Sequence, residues 1–141
     1  MLDVLFMGGL IAASFCDIKK RKIPDAITGV LFLTGFAALF WMPEPSLKMR
    51  LAGAFIAGLP LLAAAVCRPG AVGGGDIKLM AAGGFFLGLS AVWDSLALGM
   101  ALAGGYCLWL MLFRNGRGQK IALGPFLSMG LILGMFRSMG T

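Results

Sequence analysis

Six apolar stretches, separated by short and mostly basic connections, fill this chain of 141 residues. No other feature limits its fold as strongly. The chain is 60% hydrophobic and 13% charged, and its mean hydropathy is +0.94. Soluble domains are nearer half apolar and a quarter charged. A helix needs about 20 apolar residues to cross a bilayer, or about 17 at the short end. On that measure the spans fall at about 2–17, 25–42, 48–67, 76–93, 95–113 and 122–138. The predicted fold is therefore all-α, a polytopic membrane protein with six transmembrane helices. It forms a single membrane-embedded domain over 1–141, because no polar stretch is long enough for an appended soluble domain. The first stretch lacks a basic leader and carries Asp3, so it reads as a retained span rather than a signal peptide.

Positive charge sets the orientation. Lys19, Lys20, Arg21, Lys22, Arg68, Lys78, Arg114, Arg117 and Lys120 all follow odd-numbered spans, nine of the twelve cations. Lys48, Arg50 and Arg137 fall on the other side. The first side is thus cytoplasmic, and both termini face away from the cytoplasm. The net charge of +6 is explained by topology and by contact with anionic lipid, without nucleic acid. The chain has no histidine, and Cys16, Cys67 and Cys107 are widely separated with no CxxC. His-based triads are excluded, and neither a metal site nor a cofactor is expected.

A carboxylate at membrane level is costly and marks function by default. Of the six acidic residues, Asp3, Glu44 and Asp94 map to the outer side as boundary charges. Asp17, Asp25 and Asp76 map to the cytoplasmic side. Asp17 closes the first span, and Asp76 opens the fourth after Gly73-Gly74-Gly75. Two carboxylates sharing a site can divide labour, one ionised and acting as base toward water, the other protonated and polarising a carbonyl. Water is then the nucleophile. Helix-end dipoles favour the ionised form at Asp76 and oppose it at Asp17. Glycines without Cβ, Gly73 and Gly75 among them, permit close backbone approach and unusual φ, and a substrate peptide can lie against such a segment. Asp25, just after Pro24, reads first as a helix-start cap and second as site support. Lys78 reads as a cation reaching for the interface, or as one that tunes Asp76. Gly124 and Pro125 read as an ordinary helix start that lies near the site.

Three blocks together resemble the type IV prepilin peptidases and the related archaeal preflagellin peptidases. The first is Asp17-Ile18-Lys19-Lys20-Arg21-Lys22-Ile23-Pro24-Asp25. The second is Gly73-Gly74-Gly75-Asp76-Ile77-Lys78-Leu79, like that family's GxGD motif. The third is Leu123-Gly124-Pro125-Phe126-Leu127. The resemblance implies a six-helix aspartic endopeptidase with Asp17 and Asp76 as the catalytic pair. Asp25, Pro24, Lys78, Gly73, Gly75, Gly124 and Pro125 would support the site or bind substrate. The implied substrate is a pilin or pseudopilin precursor, cut at the cytoplasmic face between a short basic leader and a hydrophobic helix, in a bacterial inner membrane. Long members of the family carry paired CxxC motifs and also N-methylate the new terminus. Lacking those motifs, this chain resembles the short, peptidase-only form. Self-association into a homo-oligomer is compatible with this reading. The alternative outside enzymes is a small ion- or proton-coupled carrier using the same aspartates, which their boundary position disfavours.

Overall fold

The computed structural model describes residues 1–114 and 121–140. Arg117 and Lys120, counted above toward the cytoplasmic side, lie outside the described residues. Among those described are five helices and no strand: α1 (Leu2–Lys20), α2 (Asp25–Trp41), α3 (Leu47–Cys67), α4 (Gly74–Phe113) and α5 (Gly124–Met139). The helix α1 outruns its predicted end by three residues and stops where Arg21 turns left-handed (φ 50°), its N–H donating to the Asp17 carbonyl at 2.8 Å. Pro24, with φ −62° and ψ 137°, holds the extended backbone from which α2 starts.

The expected separation of the fourth and fifth spans at Trp93-Asp94-Ser95 is corrected, since those residues are helical. The 40 residues of α4 would stretch about 60 Å if straight, against a hydrocarbon core of about 30 Å. The interruption is at Gly88, where φ 78° and ψ 178° leave the helical region. Only glycine adopts that conformation readily. Packing shows what it does to the chain path. A methyl group on Gly134 would meet Ala91 and Ser95, one on Gly130 would meet Ser95 and Gly99, and one on Gly99 would meet Leu127. The arm after Gly88 therefore runs antiparallel to α5. A methyl on Gly83 would meet Leu131, and Asp76 lies at the Gly124 end through the cavity it shares with Asp17. The arm before Gly88 therefore runs parallel to α5, and the two arms are antiparallel to each other.

The other helices alternate about the first arm. In α1, Phe6 stacks on Phe86 with ring centroids 4.1 Å apart, while Asp17 lies at the Asp76 end. In α2, Asp25 pairs with Lys78 and Gly35 abuts Phe85. In α3, Gly53 abuts Gly84 and Gly88, and Gly58 abuts Ala81. The start of α1 and the end of α5 thus share the Gly88 end of the bundle, opposite the two aspartates.

Arg50, one of the cations expected on the outer side, lies at the Gly88 end and is completely buried. Its Nε donates to Pro45 O at 2.9 Å, and Nη1 donates to Phe86 O at 2.8 Å and Phe85 O at 3.4 Å. Carbonyls at a helix end lack intrahelical donors. The guanidinium supplies donors where the first arm of α4 ends, and so ties α3 to the Gly88 break.

Phe6, Leu10, Leu31, Leu79, Met80, Leu127 and Leu131 fill the interior without exposure. Large apolar side chains also cover the outside, Leu33, Phe40, Phe55, Val66 and Phe113 among them. Such a surface suits lipid rather than water. By length and composition, Leu47–Cys67 and Gly74–Phe113 are long and apolar enough to cross a membrane.

Candidate active site

Asp17 sits on the last turns of α1, and Asp76 on the first turn of α4. Antiparallel packing brings these helix ends together. Both residues are buried, with exposures of 5% and 7%, and both line one cavity of about 280 Å³. Gly73, Gly74 and Gly75 form one wall, the connection of Arg21, Lys22 and Ile23 another, and Asp25 and Lys78 stand at the rim.

The third sequence block finds its role here. Gly124 opens α5, and its N–H donates to Asp17 Oδ2 at 2.8 Å. Pro125 follows in the first turn, where its fixed φ suits a helix start and its missing N–H costs nothing. A Cβ on Gly124 would lie 2.5 Å from Asp17 Oδ2. Only a residue without a side chain brings the helix N-terminus this near. On the other side of the cavity, Asp76 Oδ1 is buried with no hydrogen-bond partner among the described residues. A main-chain donor from a third helix thus serves Asp17, while one buried oxygen of Asp76 is left unsatisfied, a state that buried polar atoms rarely keep.

The glycine run is steric rather than conformational. Gly73 has φ −73° at the N-cap of α4, and none of Gly73 to Gly75 has positive φ. Gly75 is the tight position, since a Cβ there would lie 2.9 Å from Ile23 Cβ. Its absence lets the α1–α2 connection press on the start of α4, which draws Asp17 toward Asp76.

Asp25 does not cap α2. Pro24 occupies the N-cap, no side chain caps that helix, and the Asp25 carboxylate instead accepts from Lys78 Nζ at 2.7 Å. Lys78 is thus committed to an ion pair with Asp25, with side-chain exposures of 54% and 78%. Arg21, Lys22, Ile23 and Gly74 also line the cavity without having been singled out. In the sequence Arg21 and Lys22 read as topology determinants. Ile23 had a signal, as the apolar residue before Pro24-Asp25. No group of three His, Cys, Asp or Glu residues able to hold a metal occurs among the described residues.

Two buried carboxylates across a small cavity, each on a helix end, form an arrangement that can activate water against a peptide carbonyl. The sequence profile of the type IV leader peptidase family matches residues 4–108, a span that includes both aspartates and the glycine run. The chain belongs to that family, as the three blocks led us to expect. It is also 35% identical over 136 residues to the prepilin leader peptidase/N-methyltransferase of Bacillus subtilis (strain 168), an alignment covering 92% of this chain and 53% of that relative. The chain therefore spans about half the length of this relative. No solved structure matches it.

Proposed function

We propose that this chain is a membrane aspartic endopeptidase that removes the leader from pilin-like precursors at the cytoplasmic face of the inner membrane. In this reading the two arms of α4 cross separately, which gives six transmembrane helices with both termini outside the cytoplasm. The substrate peptide enters the cavity with its scissile carbonyl between Asp17 and Asp76. One carboxylate accepts a proton from water as the water oxygen bonds to the carbonyl carbon. The other, protonated, donates to the carbonyl oxygen. Collapse of the tetrahedral intermediate breaks the C–N bond, and one hydroxyl proton returns to the second carboxylate as the new carboxyl group forms. The proton taken from water goes to the leaving amine, so no nucleophilic side chain and no cofactor are consumed. The reading covers peptide cleavage alone.

The observation that carries the proposal is the shared cavity of Asp17 and Asp76 within a chain of the leader peptidase family. The test is cleavage of a pilin precursor in membranes by wild type and by Asp17→Asn, Asp76→Asn and Asp25→Asn. Loss in the first two, with activity retained in the third, is expected. Wild-type cleavage by either the Asp17 or the Asp76 variant overturns the assignment of that residue.

A further inference from the structure

A second cavity, of about 510 Å³, lies between α2 and α3. Each of these helices packs on α4, and no substantial interface joins them to each other. The result is a lateral slot floored by the first arm of α4. Phe32 and Phe36 from α2 form one wall, Ala54, Phe55 and Gly58 from α3 the other, and Ile77, Ala81 and Phe85 from α4 lie along the floor. No charged or hydrogen-bonding side chain lines it. On α3 it extends from Leu51 to Leu62, about 16 Å or three helical turns.

Three features of the slot point to one occupant. Its inner end is Ile77, the residue after Asp76, so it reaches the depth of the catalytic carboxylates. Small residues line its α3 side and the middle of its floor, Ala54 and Gly58 four apart on α3 and Ala81 on α4, the spacing that admits close helix–helix contact in lipid. Its walls carry large side chains still widely exposed, Phe55 at 63% and Phe36 at 58%, which a packed helix would cover. We infer that this slot receives the apolar helix of the peptide substrate, seated between α2 and α3 as an added helix. The inference rests on the peptidase reading and says where the substrate's hydrophobic part binds. The helix ends at the level of Ile77. From there the chain passes the Asp25–Lys78 pair in extended form and enters the cavity of Asp17 and Asp76, where irregular backbone is sheltered by protein.

The test places a photoreactive phenylalanine analogue at Phe55, in a chain also carrying Asp17→Asn and Asp76→Asn so that precursor is held uncut. A control carries it at Met129, which is 57% exposed on α5, away from the slot. In membranes containing a pilin precursor, the probe at 55 is expected to label the apolar segment of the precursor, and the probe at 129 lipid alone. Labelling of lipid alone at 55, or equal labelling of precursor at both positions, overturns the inference. In the otherwise unaltered protein, Ala81→Phe fills the floor and is expected to lower kcat/KM for the precursor by roughly tenfold or more. Unchanged cleavage by that variant would also overturn it. Failure of the wild type to cleave the precursor is a different result, and defeats the peptidase reading itself.

Discussion

Gly124→Ala puts the geometry of the site to a sharp test. The added Cβ would lie 2.5 Å from Oδ2, 2.9 Å from Cγ and 3.0 Å from Cβ of Asp17. Unstrained heavy-atom contacts are nearer 3.5 Å, so the carboxylate must retreat by about 1 Å. That movement breaks the 2.8 Å bond from the Gly124 N–H. A hydrogen bond to a charged group contributes about 1.5–3 kcal/mol, and alanine regains up to about 1 kcal/mol over glycine in a helix, which leaves a net loss of about 0.5–2 kcal/mol. The effect on catalysis is larger, because a misplacement of about 1 Å can cost about 100-fold in rate. Precursor cleavage read as kcat, beside thermal unfolding of the purified protein in detergent, separates the two effects. The expected result is a modest fall in Tm with a fall in kcat of about two orders of magnitude. A variant that is more stable than wild type and fully active would refute the reasoning, since that is how alanine behaves at a helix start with open space beside it.

Three further outcomes follow from the packing. Arg50→Met leaves the Phe85 and Phe86 carbonyls without their donor and should destabilise by about 2–5 kcal/mol, while Arg50→Lys, lacking the planar fork, should recover only part of the loss; denaturant or thermal unfolding checks both. Gly88→Ala forces a side chain into φ 78° and sets its Cβ 2.6 Å from Pro45 Cγ, so a loss of about 1–3 kcal/mol or more is expected, seen as a lower Tm or reduced accumulation in membranes. Lys78→Gln should alter cleavage only a few-fold and make it less sensitive to salt, because the Asp25 pair it removes is solvent-exposed; a hundredfold loss would assign Lys78 a direct part in the chemistry.

Much of this protein is legible along the chain. Long apolar stretches predict helices in lipid, since no other open structure satisfies the backbone there. Four of the helices lie within a few residues of their expected bounds. Asp17 and Asp76 stand out because ionisable groups are rare in such a composition, and basic residues place them on one side. The same reasoning failed at the α4 break. Within 74–113 the polar Trp93-Asp94-Ser95 is the one compositional mark, and it drew the expected break five residues past Gly88, where the backbone actually leaves the helix. Gly88 is one glycine among 22, and nothing local distinguishes it.

What the sequence determined by itself is the material: helices, their apolar surfaces, two aspartates and the glycines beside them. What only the tertiary structure decided is how distant parts meet. Arg50 bonds to Phe86 from 36 residues away, Lys78 takes Asp25 from 53 away, and Gly124 delivers its N–H to Asp17 from 107 away. None of these pairings has a local signature. A helix-end N–H or C=O is present in every helix, and its partner depends on which ends the packing brings together. The arrangement of the candidate site is therefore a property of the alternating directions of the helices, fixed where small residues let them touch and where Gly88 turns the chain back.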